Sequence, residues 1–320
     1  MAKILEVRNL YLYFRTLRGN VKAVDDVSLD LERGETLAII GESGCGKTSL
    51  ARAIMRYLPR NVALYKGTIV IDGIDVMKLS NREFDEKIRW VKISYVSQAA
   101  LNSLNPVIKT LDHLIEPILL RKLATREEAV EKAREIVKLV GIPEDFLYRY
   151  PFELSGGMKQ RIVIALSLIT HPDIVILDEP TSALDVMTQA NIMNLLKKLK
   201  KELKLTYIFI THDIGISSEL ADKVAVMYAG KIVEFGPSEQ VYVEPLHPYS
   251  RALLNSVPRL HEEKIPTFVS GAPPSLLNPP KGCRFRPRCP NAMPMCEKEP
   301  PIVKLENGGY VQCWLYAGKT

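Results

Sequence analysis

Apolar and polar residues alternate near the start of the chain. Leu5-Glu6-Val7 and Val27-Ser28-Leu29-Asp30-Leu31 send every second side chain to one face, the pattern of half-buried strands. After a turn at Arg33-Gly34-Glu35, Thr36-Leu37-Ala38-Ile39-Ile40 is a nearly unbroken apolar run, which predicts a strand buried on both faces. A helix is expected over Ser49–Tyr57 and a short strand over Thr68–Asp72. Ser80 with Glu83 spells a capping box for a helix running toward Trp90, and Ile93–Val96 reads as another strand.

From about Thr110 to Leu168 the spacing turns helical. Thr125 with Glu128 forms a second capping box, Val130, Ala133, Val137 and Val140 continue at helical intervals, and Gly141 and Pro143 end that helix. Buried-strand character returns at Ile174–Leu177 and Tyr207–Ile210, with a helix over Leu195–Leu205 whose lysines read as a solvated face. Strands alternating with helices predict a mostly parallel sheet. After Val243 prolines become dense, from Pro245 and Pro248 through Pro258, Pro266, Pro273 and Pro274 to Pro279 and Pro280. The expected layout is one domain over residues 1–243, with a helical subdomain at about 105–168, and an extension over 244–320 that is short of regular structure.

A chain of 320 residues that is 47% hydrophobic and 25% charged can build a sizeable core and still dissolve. The net charge of +6 is spread along the chain, so ordinary solvated surface is favoured over a nucleic-acid-binding face, and no nucleic-acid partner is expected. No window approaches the ~18 continuous apolar residues of a spanning helix, and Met1–Asn9 lacks the apolar core of a secretion signal. A membrane role is therefore expected to act through partners.

The candidate chemistry begins at the end of the first buried strand. Gly41-Glu42-Ser43-Gly44-Cys45-Gly46-Lys47-Thr48 fits G-x-x-x-x-G-K-[ST], and Ser49 follows it into a helix. Glycines let the backbone curl until several N–H groups aim at one spot, and the helix N-terminus adds to that anion cradle. Lys47 is expected to reach the β- and γ-phosphates of ATP, and the Thr48 hydroxyl to bind Mg²⁺. Cys45 reads as a spectator in that loop. Ile174-Val175-Ile176-Leu177-Asp178-Glu179 sets two acids at the end of a buried strand, where ligands of doubly wound sheets bind. Adjacent residues leave a strand in opposite directions, so Asp178 can hold Mg²⁺ while Glu179 polarises the attacking water.

Between these lies Leu154-Ser155-Gly156-Gly157-Met158-Lys159-Gln160-Arg161, and with it the chain resembles the ATP-binding cassette (ABC) ATPases. The segment is similar to that family's signature motif, with Met158 where Gln is usual. Physically, Ser155, Gly156 and Gly157 before a helix make a second anion-binding N-terminus. The resemblance runs over residues 3–260. It implies a P-loop NTPase (RecA-like) α/β core with an N-terminal antiparallel β subdomain, a helical signature subdomain and an irregular C-terminal extension. It also implies that Gln98 touches Mg²⁺ and the attacking water. Ser182-Ala183-Leu184-Asp185 crosses to a partner, and His212 contacts the γ-phosphate. Phe14 is implied as the residue stacking on adenine, with Tyr13 and Tyr11 as rivals. In this family the site is split, each chain's loop meeting the signature segment of another.

Leu101-Asn102-Ser103-Leu104-Asn105-Pro106, His247-Pro248-Tyr249-Ser250-Arg251-Ala252-Leu253 and Pro273-Pro274-Ser275-Leu276 resemble the oligopeptide/dipeptide importer branch, on likeness alone. The implied function is ATP-driven peptide uptake at the cytoplasmic face of the cell membrane. The implied partners are a second, related ATPase, two transmembrane permeases and an extracytoplasmic substrate-binding protein. Oligosaccharide import is the alternative within transport, and a soluble ABC ATPase acting on nucleic acid or the ribosome is the alternative outside it. Cys283, Cys289, Cys296 and Cys313 are spaced C-x5-C-x6-C-x16-C, unlike paired zinc ligands. Four thiolates can hold a 4Fe–4S cluster or zinc, or stay unligated. The branch resemblance implies the cluster, its charge offset by Arg284, Arg286 and Arg288.

Overall fold

The computed structural model describes residues 3–98, 103–256 and 269–318, so Leu101, Asn102, Pro258 and Pro266 lie outside the described residues. The chain forms two compact units, one from Ala2–Met77 with Phe209–Thr320, the other from Lys78–Ile208.

The first unit begins with a hairpin of 14-residue strands, β1 (Lys3–Thr16) and β2 (Gly19–Glu32), paired from Lys3 opposite Glu32 to Thr16 opposite Gly19. Both strands run well beyond the alternating segments that predict them. The pairing slips between Val7 and Leu10, where Asn9 and Asp26 adopt left-handed φ of 46° and 60°. Asn9 Nδ2 donates to Asp26 Oδ1 at 2.9 Å across this bulge. Such a bulge breaks the period of two, which hides a long strand from pattern reading. β3 (Thr36–Ile40) is buried at every residue, and α1 (Lys47–Ile54) follows its loop. β4 (Val62–Ile71) and β5 (Ile74–Asp75) complete an antiparallel sheet in the order β2-β1-β4-β5.

The second unit opens with α2 (Asn81–Lys87), whose capping box is formed: Ser80 Oγ accepts from Glu83 N, and Glu83 Oε2 accepts from Ser80 N at 2.9 Å. After β6 (Ile93–Val96) come α3 (Thr110–Leu120) and α4 (Arg126–Leu139), the latter capped by Thr125 and Glu128 and ended by Gly141 at φ 73°. α5 (Gly156–Leu168) packs against both, burying Ile162, Val163, Ile164 and Leu168. β7 (Ile174–Asp178) lies parallel to β6, with Ile93 opposite Ile174. α6 (Val186–Leu203) buries Ile192, Leu196 and Leu199 and leaves Lys198 and Lys201 in solvent. The chain returns to the first unit within β8 (Thr206–Ile210).

There α7 (Ile214–Ser218) leads to β9 (Lys223–Tyr228), which runs parallel to β3. A two-residue turn, Ala229-Gly230, has φ of 47° and 86°, positive at both residues. It reverses the chain into β10 (Lys231–Pro237). α8 (Ser238–Val243) and α9 (Pro248–Asn255) follow. In the extension, regular structure is sparse: β11 (Ile302–Lys304) pairs with β12 (Tyr310–Gln312), and β12 pairs with β10. Phe285 of the extension enters the core with Tyr228 and Tyr249, all three ring centroids within 4.5–5.3 Å of one another.

The segment His247–Tyr249 is built around buried polar groups. The fully buried Glu234 carboxylate accepts from Leu246 N at 2.8 Å and His247 N at 2.9 Å. His247 Nδ1 accepts from Tyr249 N at 3.0 Å and so caps α9. Burial pushes the imidazole down from 6.5 to about 3, because a proton on Nδ1 would be both desolvated and in competition with that cap. The folded chain therefore binds fewer protons than the unfolded chain between these values. Stability falls as the pH drops through that window, by about 1.4 kcal/mol per unit. In His247→Asn, where Oδ1 can still cap, thermal unfolding at pH 7 and pH 5 is expected to show a smaller acid loss than wild type. Equal losses would exclude His247 as the titrating group.

Candidate functional site

β3 ends at Ile40 and the loop Gly41–Gly46 turns the chain into α1. Gly46, the cap residue, has φ 113°, and a Cβ there would come 2.1 Å from Ala23 O, so only glycine fits. α1 has no side-chain cap and no acid in its first turn. Its first N–H groups therefore point outward with the positive end of the helix dipole, as an anion requires. Lys47 is buried, its ammonium donating to Gly41 O at 2.8 Å and Glu42 O at 3.0 Å. This donor set, a cation folded over its own loop beside an uncapped helix end, fits a nucleotide phosphate. Ser43 and Gly44 are exposed, and Thr48 and Ser49 are half-buried at the start of α1. Cys45 is buried, which pushes its thiol up and keeps it neutral.

His212 is exposed just beyond β8. Its predecessor Thr211 donates its N–H to Ile39 O at 3.4 Å, tying this turn to the strand that carries the loop. Phe14 is half-buried on β1, opposite Val21 on β2 and Val62 on β4. Its rivals are engaged elsewhere. The Tyr13 hydroxyl donates to Asp25 Oδ1 at 2.5 Å, and the Tyr11 ring lies under the Lys66 ammonium at 4.6 Å.

In the second unit β7 delivers the acidic pair. Asp178 is fully buried and accepts from the Tyr95 hydroxyl of β6 at 2.8 Å. Glu179 has a left-handed φ of 51°. That conformation costs a non-glycine residue roughly 1 kcal/mol. Gln98 Nε2 donates to Glu179 Oε2 at 3.0 Å, so the structure brings together two residues 81 positions apart. Ser155 caps α5 through Met158 N, and Ser155 and Gly156 are exposed at that helix end. At Gly157 a Cβ would meet Thr188 Cγ2 at 2.8 Å, which sets the first turns of α5 and α6 side by side. Asp185 caps α6, and the Thr188 hydroxyl and amide hold its carboxyl below the usual range. Gln189 Nε2 donates to Thr181 O and Leu184 O, at 3.2 and 3.1 Å, and pins the loop between.

The expected metal cluster is corrected by the structure. Among the described residues no group of His, Cys, Asp or Glu side chains is placed to hold a metal ion, whether a 4Fe–4S cluster or zinc. Cys296 and Cys313 are buried, and Cys283 and Cys289 pack against the apolar core. Burial pushes the Cys283 thiol up to about 11 and raises Cys289 and Cys313. The three arginines answer carboxylates instead: Arg284 pairs with Asp25, Arg286 with Glu297, and Arg288 with Glu42. Sequence reasoning missed Tyr95, Tyr249 and Arg288 as neighbours of candidate site residues. Tyr95 lies in the expected strand Ile93–Val96, Tyr249 in a motif read on likeness alone, and Arg288 among the arginines assigned to the cysteine cluster.

Comparison with known proteins agrees with this geometry. Residues 24–182 match the ABC transporter family, and residues 233–296 match the oligopeptide/dipeptide transporter C-terminal region. The dipeptide transport ATP-binding protein DppD of Caldanaerobacter subterraneus subsp. tengcongensis is 45% identical over 99% of this chain and 98% of its own length. The oligopeptide transport ATP-binding protein OppD of Salmonella typhimurium is 42% identical over 97% of this chain and 93% of its own. Neither name carries an iron–sulfur role. Among solved structures, the dimeric ATP-binding cassette MJ0796, in a post-hydrolysis state with ADP and phosphate, superposes with a TM-score of 0.65 at 30% identity. It covers 73% of this chain and 98% of its own. The chain is an ATPase of the ABC transporter family and belongs to its oligopeptide/dipeptide branch.

Proposed function

We propose that this chain is a motor subunit of a peptide importer, coupling ATP hydrolysis to uptake of oligo- or dipeptides across the cytoplasmic membrane. The observation that carries the reading is the match of its C-terminal region, at residues 233–296, to a segment particular to oligopeptide/dipeptide transporters. Relatives named for dipeptide and oligopeptide transport align over nearly the whole chain, which favours peptides over sugars and over a soluble role on nucleic acid. Among the described residues no helix is long and apolar enough to cross a membrane. The translocation path in this reading belongs to two permease partners. The chain works at their cytoplasmic face, and an extracytoplasmic binding protein delivers cargo to them. An open groove of about 560 Å³ in the second unit, lined by apolar Trp90, Leu120 and Leu123 and by charged Glu86, Glu116 and Arg121, is the seat this reading offers a permease.

ATP and Mg²⁺ are the family's cofactors, and bound Mg²⁺-ATP supplies the electrophilic γ-phosphorus. Lys47 and the amides of Gly41–Gly46 would bind the phosphates, Phe14 would stack on adenine, and Thr48, Gln98 and Asp178 would be the ligands for Mg²⁺. Gln98 orients the Glu179 carboxylate, which accepts a proton from the attacking water, and His212 senses the γ-phosphate. A second, related cassette brings its own copy of Ser155–Gly157 and Asp185 to close the site. Exposed Phe152, Val186 and Met187 beside this chain's signature helix and loop, at 67–79% exposure, support such a partner.

Glu179→Gln is expected to retain ATP binding and lose turnover by roughly 10²- to 10⁴-fold, with closed dimers accumulating on gel filtration. Wild-type turnover would refute the role of Glu179. Lys47→Ala should weaken nucleotide affinity by about tenfold or more, since a charge-assisted contact is lost; an unchanged titration curve would count against it. With its permeases in proteoliposomes, the ATPase should be stimulated by peptide-loaded binding protein. Stimulation by sugars alone would overturn the peptide assignment.

A further inference from the structure

Glu42 is an odd residue for a phosphate loop, because a carboxylate beside an anion site is repulsive unless it is neutralised. Its neutralising partner comes from the other end of the chain. Arg288 Nη1 donates to Glu42 Oε2 at 2.7 Å and Nη2 to Oε1 at 2.9 Å, a forked pair across 246 residues. The Arg288 side chain is only 5% exposed. The guanidinium is saturated by the extension itself: it donates to Ser270 O at 2.7 Å, Val269 O at 3.1 Å and Gly271 O at 3.2 Å. It also lies 5.8 Å from the Tyr228 ring centroid.

The backbone of the same residue is held as well. Glu42 N donates to the Tyr249 hydroxyl at 2.9 Å, and Tyr249 is fully buried against Tyr228 and Phe285. The remaining backbone group, Glu42 O, accepts from Lys47 Nζ. Residue 42 is therefore fixed by its side chain, its amide and its carbonyl, and the carbonyl bond sets the resting place of the ammonium. A second contact reaches the far side of the loop. Arg284 binds Asp25 and Ala229 O, Asp25 N donates to Gly230 O at 2.8 Å, and Gly230 N donates to Cys45 O at 2.7 Å.

We infer that the C-terminal extension is a positioning element of the ATP site, in which Arg288 and Tyr249 hold Glu42 so that the loop and Lys47 are preset for phosphate. The inference rests on the reading that Gly41–Thr48 binds nucleotide. It gives the His247–Tyr249 and Cys283–Cys289 segments a physical task. Preorganisation lowers the ordering cost of binding, so its loss appears as weaker affinity and a looser empty loop. By reciprocity, bound nucleotide steadies the extension.

The test uses the full-length chain and a fluorescent ATP analogue, with amide hydrogen exchange of residues 41–46 in the nucleotide-free protein and a melting temperature for each variant. Arg288→Gln is expected to weaken affinity on the order of tenfold and to speed exchange in the loop. Arg288→Lys, which cannot make the forked contact, should restore part of both. In Glu42→Gln the further change Arg288→Gln should matter little, since the partner charge is gone. A lowered melting temperature with wild-type affinity and wild-type exchange in Arg288→Gln would make the pair a staple only and overturn the inference. Should Arg288→Gln fail to fold, Tyr249→Phe removes one hydroxyl and keeps the ring. Faster exchange of the Glu42 amide with weaker affinity supports the inference, and wild-type values for both sink it. If Lys47→Ala loses nucleotide while these variants do not, only the positioning role fails. If wild type itself does not bind the analogue, the reading of the loop fails with it.

Discussion

Burial of β3 on both faces governs the first unit. All five of its residues are enclosed, so its polar continuation can emerge only at the strand end. There the loop carbonyls curl around the Lys47 ammonium, the Glu42 amide takes the Tyr249 hydroxyl, and α1 starts without a side-chain cap. An anion cradle is thus what remains when an apolar strand ends and a helix starts with a glycine between them. β7 obeys a similar rule in the second unit. Its apolar run ends in Asp178, held by Tyr95, and a left-handed turn follows at Glu179, held by Gln98.

Charge is handled by pairing across long stretches of chain. Asp25 and Glu42 each take an arginine, Arg284 and Arg288, from the extension, across 259 and 246 residues. Between these arginines and the aromatic trio of Tyr228, Tyr249 and Phe285, the extension is bonded into the core that supports the loop. Buried ion pairs contribute little net stability when compared with apolar packing, yet breaking one leaves a charge stranded. They therefore fix a geometry more than they deepen a well.

Features decided by neighbours within four residues were legible in the sequence. The two capping boxes, the strands Thr36–Ile40 and Ile93–Val96 and the stop at Gly141 follow from local periodicity and hydrogen-bonding chemistry. The order of motifs located the segments of the candidate site, because phosphate and metal chemistry restrict residue type at fixed spacing. Features set by distant partners were not legible. The bulge at Asn9 and Asp26 erased the alternation of β1 and β2. Thiol spacing says nothing of whether four sulfurs converge, and among the described residues no group of side chains is placed to hold a metal. No rule of composition could join Glu42 to Arg288 or Tyr249.

The link from Asp25 through Gly230 to Cys45 is made of main-chain donors and acceptors alone. Replacing the side chains at Asp25 and Cys45 would leave every bond of that relay intact, so an alanine scan would report the lost Asp25–Arg284 pair and not the relay. Only position 230 would betray it, because an added Cβ there comes 2.5 Å from Lys22 O at a φ of +86°. A mutational map of this chain would then show one intolerant glycine in a buried turn, far in sequence from the loop it serves.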